Sequence, residues 1–470
     1  LKPKRPKGSL QLFFFCCRHP LLWPEVMWRL LCGLTLSTCT SLVASDISSK
    51  LQEALLEVAQ KKSEEYNCSV SIAVRTPRGR ASVAAGVVDF ENHQSAAVAD
   101  LYPWGSVTKM FTAASVMKLV GAGHFRLDDA IAPLVDSLLG QMAAKDPSQN
   151  FSSVEELWGT ELAKTTLREL LSMQSSIPDF DTATPSKTGI SKDPLRAKLY
   201  SEPKHFYRPT ELMSVPWVAG HTKDCKAQPL FGKFCYSSTN FMLLGMALAQ
   251  ATGADNCTAF NQTAFLPDYL QGKIRFANSG SPKEAGSVPG YDRTSYNRAP
   301  GNLSNHNNWE VDGVFAGWTA SNVVATAEQI ADLSWEIWQA HSLAPKELVD
   351  EMVPQTMRIY GLGAFNVGLF AGGQRGPLGK GYGHLGATYG YQSIVGFFPE
   401  LNVSVAIATN IETDKQVQTP DSLCFTYHAA AGLLMNKTFE CKFETAGYYG
   451  GRCTCAEKPS ALARSVNLVV

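Results

Sequence analysis

Ser106 and Lys109 stand three residues apart in Trp104-Gly105-Ser106-Val107-Thr108-Lys109. An apolar run follows them, Met110-Phe111-Thr112-Ala113-Ala114 and on through Val116, Met117, Leu119 and Val120. A serine hydroxyl becomes a nucleophile when a neighbouring base takes its proton, and an amine held dry beside it can be that base. Apolar residues at three- and four-residue steps predict a buried helix, ended by Gly121-Ala122-Gly123. Residues three apart share a helix face, so the pair would meet. A helix N-terminus adds free N–H donors and a positive dipole end, which favour a developing oxyanion. The spacing alone is not specific: Ser115 with Lys118 and Ser201 with Lys204 share it. Ser115 lies mid-helix, where its hydroxyl would bond back to a carbonyl, and Pro203 interrupts the third pair. The plain alternative for the first pair is an N-capping serine and a surface lysine.

The elements around this helix are mixed. Residues 47–66 predict an amphipathic helix through Leu51, Leu55, Leu56 and Val58. Val70–Val74 alternates as a strand, Arg78-Gly79-Arg80 reads as a turn, and a second strand covers Ala81 to Val88. A looser region begins near Ile131, and residues 140–165 read as a polar, insertion-like surface segment. Thr166–Ser172 predicts a short helix and Phe241–Gln250 a second apolar one. Residues 271–312, rich in Gly, Ser, Asn and Pro, read as a surface excursion. Helix returns at 326–341 and about 421–436, strand at Gly383–Thr388, Ser393–Phe398 and Val403–Thr409. Strands come from both ends of the chain and helices from its middle. That predicts an α/β (α+β) fold, one sheet from about 46–100 and 345–440 with a helical part over about 105–340. A cysteine-containing tail follows over 441–470.

The 470 residues are 45% apolar and 18% charged, ample for a large core, and the formal net charge of zero gives no basic surface for nucleic acid. From Met27, a short basic segment, the run Leu30-Leu31-Cys32-Gly33-Leu34-Thr35-Leu36 and small residues to Ala44-Ser45 have the layout of a secretory signal peptide. A signal anchor is the alternative, and residues 1–26 read as upstream sequence. The apolar run is too short and interrupted for a membrane span, and none is expected in the mature chain. Eight of the 12 cysteines follow residue 45, an even number that predicts disulfides in an exported chain. Asn67, Asn150, Asn256, Asn261, Asn302, Asn402 and Asn436 each head an Asn-x-Ser/Thr glycosylation site. A secreted or secretory-lumen glycoprotein is the expectation.

Three stretches now come in one order. Ser106 and Lys109 lie between Gly105 and the later Leu127-Asp128-Asp129. Tyr236-Ser237-Ser238 leads into Thr239-Asn240-Phe241-Met242-Leu243-Leu244-Gly245. His384-Leu385-Gly386 sits in Gly383–Gly390. Together, over roughly 50–440, they resemble the Ser-x-x-Lys, Tyr-x-Asn and Lys-Thr-Gly or His-x-Gly motifs of the serine beta-lactamase and penicillin-binding family. The resemblance is to its class C-like branch, with D-alanyl-D-alanine carboxypeptidases, D-aminopeptidases and esterases. Lys187-Thr188-Gly189 is a literal Lys-Thr-Gly, but it precedes the tyrosine motif in a Pro/Ser/Thr-rich loop, so His384 is preferred.

The resemblance implies a beta-lactamase/transpeptidase-like fold, an antiparallel sheet flanked by helices with an inserted helical subdomain. It implies that Ser106 forms an acyl-enzyme and that Lys109 deprotonates it or tunes the partner that does. Tyr236 would be the other proton carrier, its phenol pKa lowered between cations. His384 would supply polarity or positive charge at the substrate carboxylate or the tyrosine, with a structural strand-edge histidine as the alternative. The N–H groups of Ser106 and Ala387 would form the oxyanion hole, and Ser238 and Gly386 would contact substrate. Two positions depart from the pattern. Ser238 stands where the family usually has Asn, and Met173-Gln174-Ser175-Ser176 where it often has His-Thr-Ser-Gly. Serine has no amide, which weighs against beta-lactam or D-peptide recognition and leaves ester hydrolysis. No cofactor or metal is expected: His-Glu-x-x-His is missing, the cysteines lack zinc-finger spacing, and no Gly-x-Ser-x-Gly points to an alpha/beta-hydrolase. The expectation is a secreted serine hydrolase acting on a small-molecule or peptide ester, amide or lactone. The alternatives are a D-amino-acid peptidase or beta-lactamase, or an inactive binding relic. Natural substrate, disulfide pairing and oligomeric state stay open.

Overall fold

The computed structural model describes residues 48–181, 190–225, 227–228, 232–299, 302–355, 359–370, 379–437, 439, 441, 443–445 and 451–453. The expected signal segment and Lys187-Thr188-Gly189 lie outside them. Six strands build the main sheet: β1 (Val70–Thr76), β2 (Gly79–Ala85), β3 (Phe365–Asn366), β4 (Tyr382–Thr388), β5 (Tyr391–Phe398) and β6 (Val403–Thr409). Their order is β3-β4-β5-β6-β1-β2, antiparallel throughout. The two ends of the chain meet in mid-sheet, where Ile72 faces Ile407 and Val74 faces Val405.

Five helices matter most: α1 (48–66), α2 (Thr108–Gly121), α3 (Ser238–Ala251), α4 (Ala327–Trp338) and α5 (Gln418–Met435). Phe397 and Phe398 are neighbours on β5 and so point to opposite faces. Trp335 of α4 meets Phe397 edge-on at 6.2 Å, and Tyr427 of α5 stacks on Phe398 at 3.8 Å. Helices therefore cover both faces, which is why β6, Val-Ser-Val-Ala-Ile-Ala-Thr, is buried along its whole length. Lys62 and Tyr66 of α1 both bond Asp421 of α5 and tie the first helix to the last. This is the fold class expected from the sequence. Among the described residues, no helix is long and apolar enough to cross a membrane.

One expectation is corrected. Residues 140–165 are not a loose surface insertion. Helices Ala132–Lys145 and Val154–Ala163 and the turn between them bury Met142, Phe151, Val154, Leu157 and Leu162 against the core. The polar residues that dominate the sequence there form only the outer faces. Six of the seven glycosylation candidates are exposed, and Asn402 is half-buried. Disulfides join Cys225 to Cys235 and Cys424 to Cys441, while Cys68 and Cys257 are buried free thiols.

Candidate active site

Ser106 enters α2 through a 3-10 turn, Gly105–Val107. The turn is pressed against the end of β4. Ser393 donates to the Trp104 carbonyl at 2.9 Å, and a Cβ on Gly386 would lie 2.1 Å from that same oxygen. Gly105 has φ +49°, and a Cβ there would lie within 2.6–2.9 Å of the Ala387 backbone O, C and N. Glycine is the residue that accepts both the left-handed φ and so close an approach. Ser106 and half-buried Ala387 are thus brought side by side, the first from α2 and the second from the sheet.

α2 is buried on all sides from Thr108 to Met117, so Lys109 has no route to water and is 0% exposed. Its Nζ lies 2.8 Å from Ser106 Oγ, donates to the Ala320 carbonyl at 3.2 Å, and sits 5.0 Å from the centroid of the Tyr236 ring. Burial drops the amine to about 7, against the opposing pull of Asp179 and Asp181. The other two Ser-x-x-Lys pairs do not assemble: Ser115 bonds back to the Phe111 carbonyl at 3.0 Å, and Ser201 to that of Lys198 at 3.1 Å.

Tyr236 stands just before α3 and is 7% exposed. Its hydroxyl looks onto those of Ser106 and Ser238 but closes no good hydrogen bond among the described residues. The expected lowering of its pKa is corrected. Burial pushes the phenol well above its usual value, the two serine hydroxyls only oppose this, and Asp179 and Asp181 add to it. Tyr236 therefore stays protonated. Ser238 is the first residue of α3, and its N–H donates to Asp179 Oδ1 at 2.9 Å.

His384 lies on β4 opposite Val395 and is 0% exposed. One ring nitrogen meets Tyr360 Oη at 3.2 Å and the other the Leu385 carbonyl, between the rings of Phe365 and Tyr236. Burial, and then the nearby Lys109, push it down to about 3. The ring is neutral, so the expected positive charge for a substrate carboxylate is corrected too. What remains of that expectation is a polar ring behind Tyr236. Gly386, on the same strand, contributes backbone only.

Sequence reasoning missed the acids. Asp179 and Asp181 follow the turn Met173-Gln174-Ser175-Ser176, in which Met173 (φ 59°) and Ser176 (φ 63°) are left-handed. A family pattern ending in Gly at the last position is the natural solution for that φ. Beyond capping α3, Asp179 is acted on by Lys223, which donates to the Tyr236 carbonyl at 2.9 Å. Asp181 accepts from Tyr389 at 3.1 Å. The only sequence signal was two closely spaced acids in Pro178-Asp179-Phe180-Asp181. Among the described residues, the one His/Cys/acid group compact enough to hold a metal is Cys424, His428 and Cys441, and two of its sulfurs are joined in a disulfide.

A family model described as Beta-lactamase matches residues 61–422. Among solved structures, a D-amino acid amidase from Ochrobactrum anthropi SV3 complexed with D-phenylalanine aligns with TM-score 0.59 at 17% identity, covering 81% of this chain and 99% of that one. A D-stereospecific amidohydrolase from a Streptomyces species aligns with TM-score 0.55 at 20% identity, over 80% and 97%. The octameric penicillin-binding protein homologue from Pyrococcus abyssi gives 0.54 at 19% identity, over 80% and 76%.

Proposed function

The chain belongs to the beta-lactamase family, and from that premise we propose that it is a serine hydrolase working through an acyl-enzyme on Ser106. The observation that carries this reading is the buried Lys109 amine, brought to about 7 and held 2.8 Å from the Ser106 hydroxyl. A general base serves best when its pKa lies near the working pH.

In this reading, Ser106 Oγ attacks the substrate carbonyl carbon as its proton passes to Lys109 Nζ. The carbonyl oxygen becomes an oxyanion held by the N–H groups of Ser106 and Ala387, a reading supported by the close approach of Gly105 to the Ala387 backbone. Collapse breaks the bond to the leaving group, which takes a proton from the Tyr236 hydroxyl, itself reprotonated from Lys109. Water then attacks the acyl carbon, giving its proton to Lys109, and the acid leaves as Ser106 recovers its own. Tyr236 acts as a phenol throughout, in keeping with its raised pKa. Amides and esters both fit this scheme, and the solved relatives named for amidase activity favour an amide. The two disulfides and the exposed Asn-x-Ser/Thr sites support a secreted glycoprotein.

The test is adduct mapping. Folded protein treated with a fluorophosphonate should carry the added mass on Ser106, and Ser106→Ala should carry none. An unmodified Ser106 in folded protein would overturn the hydrolase reading in favour of a binding relic.

A further inference from the structure

The charges around the nucleophile do not balance. Five carboxyls lie in one connected region: Asp179, Asp181, Asp193, Asp292 and Glu412. Arg196 takes three of them directly, Asp193 at 2.9 Å, Asp292 at 2.7 Å and Glu412 at 2.9 Å. Lys223 and Lys109 act on Asp179. Among the described residues no cation forms an ion pair with Asp181; its contacts are the Tyr389 hydroxyl and, from its own N–H, Asp179 Oδ1 at 3.3 Å. Desolvation, and then the charges of Asp193 and Asp179, push Asp181 up to about 8, with Arg196 opposing them only in part. Asp181 nonetheless keeps part of its surface open to solvent.

Three further observations point the same way. Asp181 acts electrostatically on both Lys109 and Tyr236, and its N–H reaches the same Asp179 carboxyl oxygen that the Ser238 N–H bonds, so it lies beside the candidate site rather than on a distant surface. The Tyr236 hydroxyl, buried and unpartnered among the described residues, leaves one hydrogen bond for a bound molecule to complete. Half-buried Trp217 donates to the Phe180 carbonyl between the two acids at 3.0 Å, and Tyr389 touches Asp181, so aromatic rings accompany the carboxyl. A carboxyl beside aromatic rings, ionising as it meets its counter-charge, suits an ammonium, including a methylated one. Among the described residues, an anionic substrate would meet Asp179 and Asp181 with a neutral His384 and no unpaired cation to receive it.

We propose that the site selects substrates bearing an ammonium group close to the scissile carbonyl, and that Asp181 is the residue that selects them. For turnover this rests on the serine-hydrolase reading; for binding it does not.

The experiment has two arms. In the first, 4-nitrophenyl esters of 4-(trimethylammonio)butyrate, its neutral tert-butyl isostere and glutarate are hydrolysed by the wild-type chain. In the second, the corresponding stable amides are titrated calorimetrically into Ser106→Ala protein. Both arms should rank cation above neutral above anion, the cation favoured over its isostere by about tenfold, the scale of one partly desolvated ion pair. Asp181→Asn should bring that ratio towards one, mainly through KM, and Asp181→Glu should restore part of it. Equal binding of cation and isostere to Ser106→Ala protein, or a preference that survives Asp181→Asn, would overturn the proposal. Cation-selective binding without turnover of any ester would uphold it and overturn the hydrolase reading instead.

Discussion

Two buried cations sit in this molecule under opposite conditions. Lys109 is closed off from water with a hydroxyl and a carbonyl for contacts and no carboxylate in bonding range among the described residues. Arg196 is equally buried, but its guanidinium meets Asp193, Asp292 and, through two nitrogens, Glu412. Burial disfavours both charges. At Lys109 the charges of Asp179 and Asp181 compensate only in part, and the amine falls to about 7. At Arg196 burial is outweighed by Asp292, Glu412 and Asp193, and the guanidinium is held charged well beyond its usual range. The first arrangement makes a base that can give and take a proton. The second makes a fixed cross-link between helix Pro194–Ser201, the excursion carrying Asp292 and the segment after β6. Pairing decides which buried cation can exchange a proton near neutral pH and which holds the fold.

The sharpest way to break this contrast is to replace each cation by methionine. Lys109→Met should cost activity by about a thousandfold or more, the scale of losing a general base. It should cost no stability, because it removes a charge the interior disfavours. The folded pKa of Lys109 lies below its unfolded value, so between pH 7 and about 10.4 the unfolded chain binds more protons. The variant's stability gain over wild type is therefore full below pH 7 and fades as pH rises towards 10. Urea melts at pH 6.5 and 9.5 check this.

Arg196→Met should do the reverse. It strands three buried carboxyls and should cost about 3–5 kcal/mol, read as a lower urea midpoint. Without Arg196, burial and mutual repulsion favour protonation of Asp292 and Glu412 in the folded chain, so the folded state binds extra protons. The deficit should shrink from pH 7.5 to pH 5. An equal loss at both would mean that packing, not charge, is what Arg196 supplies.

Asp193→Asn should have the smallest effect. Asp193 caps helix Pro194–Ser201 by accepting from the Arg196 N–H at 2.9 Å, and Asn caps as well as Asp. Losing one ion pair is offset by relief of repulsion among the acids, so stability should move by no more than about 1 kcal/mol. A large loss would show that all three carboxylates are needed to hold Arg196.

The two cations also differ in how far each was legible in the sequence. Lys109 is three residues from Ser106 on one helix face, and local spacing was enough to pair them. The apolar helices and the long strands carry their own periodicity in the same way. The partners of Arg196 come from positions 193, 292 and 412, and no local pattern marks contacts so far apart. The same holds for the pairing of His384 with Tyr360 and for the approach of Asp181 to Tyr389. Electrostatic state was the least legible property. Tyr236 and His384 were placed at the site by their motifs, but their charge depends on burial, and burial is settled by the whole fold. Segment 140–165 failed for a simpler reason: its apolar positions are spread over two helices broken at residues 146–153.

The central claim is that Lys109 is a base because it is buried without a counter-charge. Its own titration tests this most directly. Protein labelled with 13C at lysine Cε would be followed by NMR from pH 5 to 11, with Lys109→Met identifying the resonance. A Cε signal that titrates near pH 7 is the predicted result. A signal that titrates near 10.4, as an ordinary solvated lysine does, would contradict the account and leave Ser106 without its base.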